Sequence, residues 1–267
     1  MSGPAASKIA EMECVILCGG LGTRLREETE FKPKPMVEIG GRPILWHIMR
    51  HYSSFGVRNF VLCLGYKGEV IRDYFLNYRF RNADVAVTLA DNNIEILGQT
   101  NVDDWRVVLA DTGPETQTGG RIKRAIKHVR GKRFFATYGD GVSNVDIATL
   151  LDVHEKRGLE ATVTAVHPSS RYGEIDIQEG TVHTFQEKPQ VGQGWINGGF
   201  FVFERPVFER ASDNPKMVLE TDILPPLAQS RQLAAHHHDG FWQCMDTFRE
   251  MQMLNEMWQS GRAPWLR

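Results

Sequence analysis

The chain has 267 residues, 42% of them hydrophobic and 24% charged, with a formal net charge of −2. At roughly 100–200 residues per domain, this suggests one large domain, or a domain with an appended piece, able to bury a substantial core. So small a net charge gives no electrostatic reason to expect a nucleic-acid or anionic-membrane partner, and any bound polyanion must be held by a local site.

Residues 1–11 lack the apolar core of a signal peptide and read as a flexible tail. Residues 12–267 read as a single α/β domain. Glu13–Cys18 reads as a buried strand, Pro43–Phe55 as a helix with proline in its first turn, and Gly56 as its stop. Asn59–Leu64 is a second strand, followed by a helix over Glu69–Tyr78 and strands at Ala83–Ala90 and Trp105–Ala110. Gly120–Val129 looks helical, and Arg133–Tyr138 is again a buried strand. Strands separated by helices predict βαβ units and a mainly parallel sheet. The second half changes character, with successive strands at Ala161–His167, Gly173–Gln178, Val182–Gln186 and Gly198–Glu204, then helices at Met217–Ala228 and Thr247–Gln259.

Cys14, Cys18 and Cys63 lie in apolar runs, and neither they nor Cys244 form a CxxC pair. They read as buried thiols of a reducing compartment, with the cytoplasm as the default. No run of about 20 apolar residues exists to span a membrane. His236, His237 and His238 do not converge on one metal ion if they form a strand, because their side chains alternate between faces. Phe200, Phe201 and Phe203 read as core rather than as a stacking platform.

The strongest local signal follows the first strand, as Gly19-Gly20-Leu21-Gly22-Thr23-Arg24. Glycines there let the main chain approach a ligand closely and point N–H groups at phosphate oxygens. In an open parallel sheet this is the carboxyl end of a strand, where ligands bind. The loop is neither a P-loop nor a GxGxxG dinucleotide motif. Lys34 stands between Pro33 and Pro35, so its main chain is already restrained. Asp140, flanked by Gly139 and Gly141, follows a buried strand, and Asp246 precedes a helix. Mg²⁺ takes one or two carboxylates plus phosphates and water, so these two aspartates suit it if the fold brings them together. Asp140 also suits a plain turn and Asp246 a helix N-cap, while Asp146 is assigned to structure.

These blocks, together with Glu187-Lys188-Pro189 and Asn197-Gly198-Gly199, resemble in their order the sugar-phosphate nucleotidyltransferases, whose signature is a GGxGTRL loop followed by Pro-Lys-Pro. The likeness covers nearly the whole chain after residue 12. It implies a Rossmann-like mixed, mainly parallel sheet flanked by helices. Nucleotide binding would fall about 12–145, and sugar binding and oligomerisation about 146–267. It further implies nucleotide contacts from Leu17, Cys18, Gly19, Gly20, Leu21, Gly22, Thr23, Arg24, Thr116, Arg121 and Gly139. Arg24 and Lys34 would be catalytic, Asp140 and Asp246 would hold Mg²⁺, and Glu187, Lys188, Asn197 and Gly198 would meet the sugar phosphate. Segments such as TYGDGV and GFWQCMDT resemble the cytidylyl branch, which implies CTP and glucose 1-phosphate as substrates and a trimer or hexamer. The late motif lacks the glycine that many relatives place after the aspartate. A UTP- or dTTP-dependent enzyme, or a catalytically silent regulator, remains as an alternative.

Overall fold

The computed structural model describes residues 4–20, 22, 25–98, 102–168, 174–178, 181–186 and 194–266. The elements run α1 (Pro4–Glu11), β1 (Glu13–Leu17), α2 (Arg26–Thr29), β2 (Glu38–Ile39), β3 (Arg42–Pro43), α3 (Ile44–Ser54), β4 (Asn59–Leu64), α4 (Gly68–Leu76), α5 (Tyr78–Arg81), β5 (Asp84–Thr88), β6 (Asn93–Leu97), β7 (Arg106–Asp111) and α6 (Thr118–Ala125). They continue with β8 (Arg133–Tyr138), β9 (Gly141–Ser143), α7 (Ile147–Arg157), β10 (Ala161–Val166), β11 (Glu174–Gln178), β12 (Thr181–Gln186), β13 (Ile196–Glu204), α8 (Pro206–Glu209), α9 (Leu224–Gln229), β14 (Leu233–His238), β15 (Trp242–Cys244) and α10 (Phe248–Gln259).

The central sheet has the order β14-β10-β13-β8-β1-β4-β7. Its β1–β4, β1–β8, β4–β7 and β10–β14 pairs are parallel, and only β13 runs against its neighbours. This is the mainly parallel mixed sheet that the sequence predicts. Its inner strands β1, β4 and β8 are buried without alternation because both faces are covered, whereas the edge strand β14 alternates. Cys14 and Ile16 of β1 face a core shared with α3 and α10, whereas Val15 faces a core shared with α6 and α8. Phe200 and Phe201 of β13 split between the faces in the same way and, like Phe203, are buried as expected.

The chain leaves β1 for β4 and β7 on one side, then returns to place β8 on the other side of β1. Strand order therefore reverses at β1. A crevice at the carboxyl ends of β1 and β8 is the place where such sheets bind ligands.

Several elements differ from expectation for identifiable reasons. Residues 4–11, expected as a tail, form α1; Ile9 is buried, and Lys8 Nζ pairs with Glu155 Oε2 of α7 at 2.9 Å. The strand expected at Ala83–Ala90 is half of a β5–β6 hairpin, whose turn holds Asn92 at φ +55. The helix expected at Met217–Ala228 starts with a π-helical turn, Leu219–Ile223. Pro225 and Pro226 follow it in α9. They lack the N–H groups that would close ordinary helical bonds to Thr221 and Asp222. Asp146 does cap α7, accepting a hydrogen bond from Thr149 N at 2.8 Å.

The carboxyl-terminal segment is locked to α3. Trp265 is fully buried, and its indole donates to His47 Nδ1 at 3.2 Å. His47 Nε2 consequently carries the proton and donates to the Ile39 carbonyl at 2.8 Å. Burial pushes the His47 pKa down to about 4, against the opposing effect of the Ile39 bond. Above pH ~6.5 the imidazole is neutral in both folded and unfolded chains, and this group makes no difference to stability. Between pH ~6.5 and ~4 the unfolded chain binds a proton that the folded one refuses, so stability falls as pH falls, by on the order of 3 kcal/mol. Urea unfolding at intervals between pH 7 and 4.5 measures this decline. It should be shallower in His47→Gln, and equal slopes in the two proteins would contradict the assignment.

Candidate active site

A cleft of about 1010 Å³ opens at the carboxyl ends of β1 and β8, lined by residues of both and by the start of α6. Of the residues singled out in the sequence, Leu17, Cys18, Gly19, Gly20, Gly22, Lys34, Thr116, Arg121, Gly139, Asp140 and Asp246 line it. Asn197 on β13 is joined to its wall through Tyr138, while Gly198 O accepts from the Trp242 indole, which does not line it. Leu21, Thr23, Arg24, Glu187 and Lys188 fall outside the described residues.

Lys34 sits on a tight 3₁₀ turn, Lys34–Met36, closed by bonds from Met36 N to Pro33 O at 2.8 Å and Val37 N to Lys34 O at 3.0 Å. The turn is buried, so the lysine stem crosses apolar surroundings and its ammonium emerges in the cleft. There Nζ donates to Asp140 Oδ2 at 2.7 Å and to Asp246 Oδ1. Burial alone would lower the Lys34 pKa; the charges and hydrogen bonds of the two aspartates more than offset it and hold the pKa above its ordinary value. Lys32, the other cation of the motif, pairs with Glu28 at 3.6 Å instead.

The two carboxylates meet because of a small ribbon. β9 pairs antiparallel with β15 in the register Gly141↔Cys244, Val142↔Gln243, Ser143↔Trp242. Residues 140 and 245 therefore abut at its end, where Met245 N donates to Asp140 O at 2.9 Å. Asp246 is the next residue. It is not the cap of α10: Thr247 is, in a capping box with Glu250, and Asp246 N also donates to Glu250 Oε2 at 2.7 Å. The Asp246 carboxylate is thereby left to face the cleft.

This arrangement suits a magnesium ion. Two carboxylate oxygens already surround one cationic group, at a site with open volume for phosphates and water, which is the donor set Mg²⁺ accepts. Among the described residues no group of three or more His, Cys, Asp or Glu side chains is placed to hold a metal by itself. His236, His237 and His238 do lie on a strand, β14, with His236 buried and His237 exposed, as alternation requires.

Arg121 has an unexpected structural part. Its guanidinium is buried and donates to Leu64 O at 3.1 Å, Thr112 Oγ1 at 2.8 Å, Gly113 O at 2.7 Å, Gly19 O at 3.0 Å and Pro114 O at 3.1 Å. One side chain thus ties together the carboxyl ends of β1, β4 and β7. A Cβ at Gly19 would lie 2.2 Å from the guanidinium carbon, and one at Gly65 would lie 2.3 Å from Nη1. Gly19 is glycine at least in part because the arginine fills the space of its side chain. Gly139 is similarly tied to packing, since a Cβ there would be 2.8 Å from Leu17 O. Burial pulls the Arg121 pKa down, but a guanidinium keeps its charge in any protein setting.

Residues not singled out in the sequence complete the wall. They include Tyr66, Gln117, Thr118, Tyr138 and Lys216. Tyr138 ends a strand that the sequence shows clearly, but nothing in its surroundings there marks its hydroxyl as facing a cleft rather than the core.

A strand-order reversal, a glycine loop at the end of β1 and a lysine between two aspartates beyond β8 meet at one cleft, an arrangement that suits the nucleotidyltransferase class. The chain belongs to the nucleotidyl transferase family, whose model matches residues 13–250. It is 49% identical over 255 residues to a glucose-1-phosphate cytidylyltransferase of Salmonella typhi, covering 95% of this chain and 98% of that one. It is 40% identical over 254 residues to a probable glucose-1-phosphate cytidylyltransferase of Bacillus subtilis (strain 168), covering 95% and 99% of the two chains. The crystal structure of HddC from Yersinia pseudotuberculosis aligns with a TM-score of 0.68 at 25% identity, covering 92% of this chain and 99% of that one.

The clamp formed by Arg121 is testable. Lysine has three donors on a flexible stem and cannot reproduce a five-donor planar fork. Arg121→Lys breaks at least two of these five hydrogen bonds from a charged donor, at about 1.5–3 kcal/mol each. The variant should lose about 2–4 kcal/mol in denaturant unfolding. Wild-type stability in Arg121→Lys would contradict the clamp.

Proposed function

We propose that this chain transfers a cytidylyl group from CTP to glucose 1-phosphate, releasing pyrophosphate and forming CDP-glucose. Near-full-length identity to glucose-1-phosphate cytidylyltransferases supports the base and the sugar. The observation that carries the chemistry is the convergence of Lys34, Asp140 and Asp246 at the switch-point cleft.

Nucleotidyl transfer asks little covalent work of the protein, and catalysis is positioning and charge stabilisation. A nonbridging phosphate oxygen of glucose 1-phosphate attacks the α-phosphorus of CTP in line. The bond from the α-phosphorus to the αβ-bridging oxygen breaks, and pyrophosphate leaves with that oxygen. The attacking phosphate is already an anion, so no general base is needed. Asp140 and Asp246 would hold Mg²⁺, which when bound supplies neutralisation and orientation of the triphosphate. Lys34, at the same point of the cleft, meets the reacting phosphates. The glycine loop offers N–H groups to the triphosphate, and Arg24 answers the charge that grows on the departing phosphates. Glu187, Lys188, Asn197 and Gly198 hold the glucose phosphate.

No helix among the described residues is long and apolar enough to cross a membrane. The four unpaired cysteines support a reducing compartment, the cytoplasm. The β5–β6 hairpin exposes Val87, Leu89, Ile94 and Leu97, which supports a homo-oligomer, a trimer or hexamer. Light scattering on the purified protein checks this: a trimer or hexamer is expected, and a monomer at micromolar concentration would remove it.

Pyrophosphate release across a matrix of four nucleoside triphosphates and several sugar 1-phosphates tests the activity. CTP with glucose 1-phosphate should give the highest kcat/KM; a preference for UTP or dTTP would replace the base assignment. Asp140→Asn should lower kcat by roughly 100-fold or more while leaving thermal unfolding nearly unchanged. Full turnover in that variant would remove Asp140 from the metal site.

A further inference from the structure

A chain of hydrogen bonds runs from the start of α6 to the sugar side of the cleft. Thr118 Oγ1 donates to Glu220 Oε2 at 2.7 Å. The Tyr138 hydroxyl donates to Glu220 Oε1. Asn197 Nδ2 donates to the Tyr138 oxygen at 3.2 Å, and Gly199 N donates to Asn197 Oδ1 at 2.8 Å. Neither Glu220 nor Tyr138 is explained by the chemistry assigned above.

The polarity of this chain is set at both ends, by the Glu220 carboxylate and by the Gly199 N–H. An ionised carboxylate only accepts, so Tyr138 spends its single proton on Glu220. The tyrosine oxygen is then left as an acceptor toward Asn197. Asn197 must turn its amide NH₂ to the tyrosine and its oxygen to Gly199 N. One of its two amide hydrogens is used in this way, and the other remains for a ligand at an exposed position. An anion at 220, acting through the tyrosine, and the Gly199 N–H together fix which end of the Asn197 amide meets the ligand.

The anchors of the chain are held tightly. Glu220 lies on the π-helical turn, a distortion that often marks functional positions. That turn is pressed against α6: Leu219 N donates to Thr118 Oγ1 at 2.8 Å, and Gly120 N donates to Met217 O at 2.9 Å. A Cβ at Gly120 would stand 2.9 Å from Pro215 O. The Tyr138 ring lies over Gly199, which has φ +79 and where a Cβ would come within 2.5 Å of the ring. Both glycines are thus required by close approach.

We infer that Glu220, acting through the Tyr138 hydroxyl, is a positioning residue that presents Asn197 as a hydrogen-bond donor to a hexose hydroxyl of the sugar phosphate. The inference rests on the reading of Asn197 as a sugar contact given above. A purely structural Glu220 would hold α6 against its neighbour and affect both substrates alike; a positioning Glu220 affects the sugar phosphate.

Steady-state kinetics and thermal unfolding of Asn197→Ala, Tyr138→Phe, Glu220→Ala, Glu220→Gln and the Tyr138→Phe/Glu220→Ala double variant test this. Tyr138→Phe and Glu220→Ala should each raise KM for glucose 1-phosphate about tenfold, the worth of one hydrogen bond. KM for CTP should change less than twofold. The double variant should be no worse than the worse single, since both act through Asn197. Glu220→Gln should recover much of the loss, because its carbonyl still accepts from Tyr138. Equal rises in both KM values, additive losses in the double variant, or lowered melting temperature with unchanged KM would overturn the positioning role. If Asn197→Ala alone raises KM for glucose 1-phosphate, the sugar contact stands and the Glu220 relay fails. If Asn197→Ala leaves it unchanged, the sugar reading of Asn197 falls, and the relay with it.

Discussion

Two carboxylates that both stay ionised at one point of a protein need a cation between them; otherwise one of them takes up a proton. Lys34 is that cation, joining residues 106 and 212 positions away in sequence. The rest of the site follows from this contact. Lys34 must be delivered by a buried, proline-flanked turn, because a flexible lysine would lose more entropy on being fixed. Asp140 must leave β8 at the β9–β15 ribbon, and the register of that ribbon must bring Asp246 alongside. A slip of one residue would turn one carboxylate away from the cleft.

A second cation works in the opposite manner. Arg121 gathers carbonyl and hydroxyl oxygens from the ends of β1, β4 and β7, with no carboxylate among the contacts described above. Carbonyls just past the carboxyl ends of strands have run beyond the pairing of the ladder, and a buried one without a partner is costly. A planar, five-donor guanidinium satisfies several at once while keeping positive charge beside the cleft. Stability of the loops and positive charge at the cleft wall thus come from the same side chain. The Glu220–Tyr138–Asn197 chain extends this principle to β13, where fixed polarity rather than net charge is the useful quantity.

Much of the fold was legible along the chain. The buried strands β1, β4 and β8 are short apolar runs, and α3 and α10 show clear start signals, because burial on both faces and capping are local patterns. The sequence also brought out Lys34, Asp140 and the glycine loop through the order of their motifs. It missed β6, whose Asn93–Leu97 run is short and mostly exposed, and it read a tail where α1 packs on α7. It missed the π-helical turn, since the choice between helical registers depends on proline donors lost several residues downstream.

What the sequence determined by itself was chemical type: an α/β chain carrying a glycine loop, a restrained lysine and two separated aspartates suited to phosphates and a divalent ion. Tertiary structure decided which of these meet. Asp140 and Asp246 converge only through the pairing of β9 with β15, Gly19 owes its missing side chain to Arg121 a hundred residues away, and Glu220 reaches Asn197 only across Tyr138. Each of these depends on contacts between distant segments, and periodicity and propensity, which act over a few residues, carry no record of them.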